Sequence, residues 1–284
     1  MLKSSAPHPV LSINLPPKIN IMELTITQID TACLLIDING FKILTDPAFD
    51  AAGGTYQSGS GRILKKTQSP AIRPEDLGPV DLVLLSHDQH KDNFDNKGRE
   101  FSETAPMLIS TPEAKERLGW GNITGINEWE SVSITTTKVP GLRIIATPCR
   151  HGSDEELHRA AGHVIGFILE WEGQINGALY ISGDTVFFNG IEEIAQRFTI
   201  DTAILHIGRA GFPALIGDRY LTFPASEAIR TAKLLNVKKL IPTHREGWEH
   251  FVEKASDAHQ QINQAGLENK LIWLDPGKPA VLSI

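Results

Sequence analysis

An apolar run, Val80-Asp81-Leu82-Val83-Leu84-Leu85, opens directly onto Ser86-His87-Asp88-Gln89-His90-Lys91-Asp92-Asn93. Two imidazoles and two carboxylates therefore fall within six residues, at the end of a strand hydrophobic enough to demand burial. A loop rooted in such a strand holds its side chains in place, as a metal site requires before any ion arrives. A plain polar turn would have the same composition, so one cluster leaves both readings open. Three later stretches repeat the pattern: Ile144-Ile145-Ala146-Thr147-Pro148-Cys149-Arg150-His151-Gly152, Leu179-Tyr180-Ile181-Ser182-Gly183-Asp184-Thr185 and Leu240-Ile241-Pro242-Thr243-His244. Each alone is ordinary. A single His after a strand often only hydrogen-bonds, and Asp184 equally suits a helix N-cap. Four in series predict strand ends that converge on one rim of a layered α/β domain.

Short β-rich runs are predicted at 24–29, 32–38, 41–45, 82–86, 107–110, 131–136, 142–147, 162–171, 178–182, 202–206, 239–242 and 271–273. Asn39-Gly40 between two of them signals a two-residue hairpin. Helical patterns fill 112–118, 191–198, 224–235 and 250–265. Hairpins dominate the first half and strands alternate with helices in the second. The expected architecture is two sheets packed face to face with helices outside, in one domain spanning 22–284. Residues 1–21, broken by Pro7, Pro9, Pro16 and Pro17, read as an extension outside the core. The Gly- and Ser-rich stretch 50–61 reads as a mobile surface loop, either bordering the site or merely connecting.

With 41% apolar residues in 284, the chain can bury a substantial core. A formal charge of −7, with no basic cluster longer than Lys65-Lys66 or Lys238-Lys239, argues against a nucleic-acid partner. No apolar run approaches the ~20 residues of a membrane span. Cys33 and Cys149 form no disulfide framework, which suits a reducing cytoplasm. No serine nucleophile elbow, P-loop or Gly-x-Gly-x-x-Gly supports a rival mechanism. Oligomeric state leaves no trace in the sequence.

The order of a His-rich loop, a His, Gly-Asp-Thr and a final His resembles the metallo-β-lactamase-fold superfamily of metal-dependent hydrolases. Ile43-Leu44-Thr45-Asp46-Pro47 and Pro242-Thr243-His244 are similar to its branch of L-ascorbate-6-phosphate lactonase and N-acyl-phosphatidylethanolamine phospholipase D. The resemblance implies an αββα four-layer sandwich with a one- or two-metal site at the sheet edge. The superfamily's usual loop is His-x-His-x-Asp-His, and this chain departs from it. Read without a gap, Gln89, Lys91 and Asp92 replace the second His, the Asp and the last His. Read with one inserted residue, His90 and Asp92 match, and Asn93 replaces the final His. The gapped register keeps more ligands but leaves one metal short of a nitrogen donor, because an amide oxygen is a poor zinc ligand.

In that register the resemblance implies that His87, His90 and His151 hold one metal. Asp184 bridges to a second, held by Asp92 and His244 with Asn93 or Asp88 nearby. Zn2+ is the expected ion, one or two per chain, with Mn2+ or Fe2+ as alternatives. Such ions lower the pKa of bound water toward ~7 and polarise the bond under attack. Asp92 or Asp184 is expected to accept the proton. The expected function is hydrolysis of a small-molecule ester, lactone or phosphodiester; the alternative is a non-catalytic scaffold with a degraded metal site. Asp46 reads either as a partner orienting a ligand imidazole or as a turn residue before Pro47. His206 belongs either to the cleft or to the core. Arg150 and Arg209 suit an anionic group or a surface ion pair, Trp248 a pocket wall or core cap, and Cys149 a soft ligand or, better, a small buried filler.

Overall fold

The computed structural model describes residues 22–57 and 63–283. Fifteen strands run in order: β1 Leu24–Asp30, β2 Cys33–Ile38, β3 Phe41–Thr45, β4 Thr55–Gln57, β5 Ile63–Lys65, β6 Leu82–Leu84, β7 Leu108–Ser110 and β8 Ile123–Gly125, then β9 Ser131–Ser133, β10 Arg143–Pro148, β11 Ile165–Glu170, β12 Ala178–Ile181, β13 Ile200–His206, β14 Lys239–Thr243 and β15 Pro279–Leu282. Among the described residues seven α-helices lie between them: α1 Asn96–Glu103, α2 Pro112–Leu118, α3 Glu155–Ala161, α4 Asn189–Arg197, α5 Pro213–Ile216, α6 Ala225–Leu234 and α7 Ala255–Ile262.

One sheet has the order β15-β1-β2-β3-β6-β7-β8 and the other β14-β13-β12-β11-β10-β9. Alternation along each strand sorts side chains between layers. Leu82 and Leu84 of β6 join Ile144 and Ala146 of β10 and Ile204 of β13 in a core between the sheets. Val83 faces the other way, into a cluster that includes Phe101 of α1 and Leu118 of α2. Ile145, Ala203 and Leu205 pack beneath Ile191 and Ile194 of α4, Ala228 of α6 and Ile262 of α7. Helices therefore cover both outer faces, and the fold is the expected αββα sandwich. Burial on both faces explains why Leu82–Leu85 reads as a continuous apolar run rather than an alternating one.

Several expectations are corrected. The first half is not mainly hairpins, because β3, β6, β7 and β8 pair in parallel after the β1-β2-β3 meander. The stretch 271–273 makes only an isolated bridge, Leu271 with Leu240. The strand missed near it, β15, pairs with β1 at the sheet edge, where Val281 is exposed and breaks the hydrophobic signal. Helices α1 and α3 were also missed, since the charge-rich Asn-Lys-Gly-Arg-Glu and Glu-Glu-Leu-His-Arg starts hide their few buried residues. The helix read at 250–265 starts only at Ala255. The stretch 50–61 is not all loop, for Thr55–Gln57 pairs with Ile63–Lys65. The remainder of that stretch past Gln57, and the extension 1–21, lie outside the described residues. No helix among the described residues is long and apolar enough to cross a membrane.

Candidate metal centre

Strand direction gathers the site. In the second sheet β12, β13 and β14 are parallel, and β10 runs the same way because β11 is antiparallel to both β10 and β12. His151, Asp184, His206 and His244 consequently sit at one end of that sheet. The β6 end of the first sheet meets them there, joined by a hydrogen bond from Ile165 N to Ser86 O of 3.1 Å. Two glycines permit the close approach. A Cβ on Gly183 (φ +61°) would lie 2.6 Å from Ile165 O, and one on Gly208 (φ +96°) 2.5 Å from His244 O. Asp46 and His244 themselves take left-handed φ of 35° and 54°, backbone strain held in place by the surrounding packing.

Hydrogen bonds orient three of the imidazoles, those of His87, His151 and His244. Asp46 Oδ1 accepts from Ser86 N (2.8 Å) and from the Ser86 hydroxyl (2.9 Å). The serine oxygen, its proton committed, accepts from His87 Nδ1 at 2.8 Å, which leaves the His87 Nε2 lone pair free. His151 Nδ1 likewise donates to Leu221 O (2.9 Å) and His244 Nδ1 to Ile207 O (3.4 Å). His90 Nδ1 lies 3.0 Å from His87 Nε2 and 3.2 Å from His151 Nε2. Donor atoms around a tetrahedral zinc are roughly 3.3 Å apart, from metal–nitrogen bonds of about 2.0–2.1 Å.

His87, His90 and His151 form one group of donors within 4.8 Å of one another, and Asp92, Asp184 and His244 form a second. Asp184 stands between the two. Its Oδ1 accepts from His206 Nδ1 at 3.0 Å. Its Oδ2 lies 3.6 Å from His244 Nε2, 3.8 Å from His151 Nε2 and 3.9 Å from His87 Nε2. Asp92 Oδ2 lies 3.4 Å from His244 Nε2 and 2.9 Å from His250 Nε2.

Burial and these neighbours polarise the cluster. Burial, reinforced by neighbouring imidazoles, pushes His87 well below its usual range and His90 down to about 4. Burial opposes ionisation of Asp92 and Asp184, yet the surrounding imidazoles hold both carboxyls below the usual range. Burial also disfavours a charge on His244, but Asp184 and Asp92 outweigh it and raise His244 to about 9. Two ionised carboxylates thus sit buried beside the neutral imidazoles of His87 and His90, while His244 carries a proton that an entering cation would displace. Asp184 Oδ2 and His244 Nε2 are buried with no hydrogen-bond partner. Orphans of this kind, in a nitrogen- and oxygen-donor set, fit a divalent cation.

The six residues expected as ligands, His87, His90, Asp92, His151, Asp184 and His244, are all brought together. Of the two registers for the His-rich loop, the gapped one has the side chains that meet. Gln89 Nε2 instead donates to Ala161 O and His163 O, and Lys91 Nζ to Asn96 Oδ1. Asp88 is not part of the cluster, because Arg117 Nε grips both its oxygens at 3.0 and 3.1 Å. Asn93 is not either, as its Nδ2 donates to His87 O at 2.6 Å. Asp184 caps no helix, since α4 begins at Asn189 with Phe188 as its N-cap. Asp46 takes the orienting role on His87 through Ser86. His206 is fully buried, outside the lining of the cavity over the cluster, and bonds Asp184 through Nδ1. Cys149 is a buried filler whose Sγ donates to Ser182 O (3.0 Å), and Trp248 is buried with Nε1 donating to Thr31 Oγ1 (3.0 Å). Arg209 hydrogen-bonds Asp218 O. Sequence reasoning missed His250 as a neighbour of the cluster; its only signal was a position six residues after His244.

A cavity of about 400 Å³ opens over the cluster, with His90, Asp92, His151 and His250 in its lining and Leu64, Leu157 and Leu221 on its apolar walls. A larger one of about 530 Å³, beside Arg150, His158 and Arg230, touches none of the six donors.

The family model described as the beta-lactamase superfamily domain matches residues 42–245. A UPF0173 metal-dependent hydrolase from Pyrococcus abyssi is 25% identical over 229 residues, covering 78% of this chain and 93% of that relative. Among solved structures, an isothiocyanate hydrolase from Delia radicum gut bacteria superposes with a TM-score of 0.75 at 24% identity, covering 91% of this chain and 99% of that one. A possible metal-dependent hydrolase from Veillonella parvula gives a TM-score of 0.76 at 20% identity, covering 92% and 100%. At these identities the two structures speak to the fold.

Proposed function

The chain belongs to the beta-lactamase superfamily domain family, and on that premise we propose that it is a metal-dependent hydrolase of small, largely apolar esters or lactones. The observation that carries this reading is the pair of donor groups at the floor of one cavity, sharing Asp184 between them. In this reading His87, His90 and His151 would hold one divalent cation and Asp92, Asp184 and His244 a second, with Asp184 within reach of both. Bound there, such cations polarise the bond under attack and make coordinated water acidic enough to ionise near neutral pH. Asp46 and Ser86 keep the His87 lone pair aimed inward, and the Leu221 carbonyl does the same for His151. Asp92, the one carboxylate of the cluster that lines the cavity, is ionised and placed to take the proton of the attacking water. Leu64, Leu157 and Leu221 exclude water around the scissile group.

Among the described residues that line the cavity Lys91 is the only lysine or arginine, and the rest of that lining is mainly apolar, which supports carbonyl substrates over phosphodiesters. A likeness to the L-ascorbate-6-phosphate lactonase and N-acyl-phosphatidylethanolamine phospholipase D branch is part of the same proposal, with the carbonyl chemistry of its lactonase favoured over the phosphodiester chemistry of its phospholipase. So are zinc as the ion, one catalytic domain over 22–284, and residence in a reducing cytoplasm, which the two buried free cysteines support. The test is elemental analysis with a screen of chromogenic esters, lactones and phosphodiesters. About two equivalents of metal and turnover of an ester or lactone are expected, with His151→Ala losing both. Metal without turnover of any class would favour a binding protein on this fold, and activity retained by His151→Ala would remove that residue from the site.

A further inference from the structure

We propose that His250 is a nitrogen ligand of the second cation, in place of the imidazole that Asn93 does not supply; this rests on the metal-dependent reading above. Asn93 gives its Nδ2 to the His87 carbonyl at 2.6 Å, and its remaining amide oxygen is a poor zinc ligand beside an imidazole nitrogen. What stands against Asp92 instead is a second imidazole. Asp92 Oδ2 has His244 Nε2 at 3.4 Å on one side and His250 Nε2 at 2.9 Å on the other. Both histidines come from the loop that follows β14, so one segment delivers two nitrogens to one carboxylate oxygen.

That loop is preset. Gly247 O accepts from Thr67 N at 2.8 Å, and Trp248 Nε1 donates to Thr31 Oγ1 at 3.0 Å. His250 O accepts from Gly211 N at 2.9 Å. The imidazole itself stacks on Phe212, with centroids 5.5 Å apart and planes 12° apart, and packs against Phe251 at 4.8 Å. A ring fixed so firmly, 8% exposed, has Nδ1 buried without a hydrogen-bond partner. The nitrogen offered to the cation is Nε2, the one held against Asp92 Oδ2, while Nδ1 remains the other, unpartnered atom of the ring. The donor set of the second cation becomes Asp92, Asp184, His244 and His250, two carboxylates and two imidazoles, which suits zinc or iron. Exchange of the His250–Asp92 hydrogen bond for two metal bonds is the local change this requires.

The test separates a ligand from a residue that only orients Asp92. Metal-free wild-type protein, titrated with Co2+ and followed by its visible absorption, is expected to bind two equivalents. His250→Ala should keep the first and weaken the second by more than about 100-fold, beyond the 10–100-fold of an outer partner. In His250→Cys, direct ligation should produce a sulfur-to-cobalt charge-transfer band on the second equivalent, absent from wild type, in which Cys149 stays silent. Two equivalents in wild type with no such band in His250→Cys overturns the proposal and leaves the metal reading standing. A single equivalent in wild type overturns it as well, while no cobalt binding at all sinks the metal reading with it. Should His250→Ala fail to fold by circular dichroism, the cysteine variant decides.

Discussion

His206 and His244 are separated by what their imidazoles touch. Their rings stack, with centroids 5.6 Å apart, and the Nε2 of each is buried without a partner, but His206 spends Nδ1 on Asp184 Oδ1 while His244 Nε2 faces Asp92 and Asp184 Oδ2 at 3.4 and 3.6 Å. Removing His244 deletes a donor; removing His206 only loosens one. His206→Ala is expected to lower metal affinity by about 10–100-fold and still fill both sites at saturating metal. His244→Ala should lose the second equivalent outright and more of the turnover, as equilibrium dialysis and initial rates will report. The reverse ranking would mean that the wrong histidine holds the ion. Asp46 and Ser86 were less legible in the sequence, because an orienting hydrogen bond leaves no mark on the residue type. His250 was invisible for a related reason. Its partner is a carboxylate 158 positions away in the chain.

Among the elements, those with a burial period or a cap were readable. Helix α2 falls where Thr111, Pro112 and Gly119 place its start and stop, with the Thr111 hydroxyl accepting from Ala114 N. Short elements buried on one side only, such as β15 and α3, gave too few apolar positions to read. One junction between elements titrates. His163, just before β11, pairs with Glu113 of α2 at 2.7 Å and with Glu128 of the β8–β9 connection at 3.0 Å. The hydrogen bond to Glu128, with that to Glu113, raises His163 to about 9. A folded-state value above the unfolded one of about 6.5 means this contribution is complete below pH ~6.5 and disappears as pH rises through about 9. Urea unfolding of metal-free protein should find His163→Gln less stable than wild type by about 1 kcal/mol at pH 6. The two should converge at pH 10. An equal gap at both values would assign His163 a packing role instead.

At the scale of the molecule, the sandwich brings together side chains that no local pattern relates. His87 comes from the first sheet and His151, Asp184 and His244 from the second, and all are essentially buried where the two sheets' strand ends meet. The fold class was legible because four strands ended in donor-type residues, and parallel direction puts such ends on one side. The distances were not, since they depend on how two sheets slide over a shared core. A buried lysine steadies the flank: Lys66, following β5, pairs with Asp30 of β1 at 2.5 Å and with the α1 cap Asp95 at 2.9 Å. The most direct test of the shared centre is anomalous X-ray scattering at the zinc edge from zinc-loaded crystals. Two peaks roughly 3.5–4 Å apart are expected, one among His87, His90 and His151 and the other among Asp92, Asp184 and His244. Zinc found only on the outer surface, with no anomalous peak inside the cluster, would contradict it.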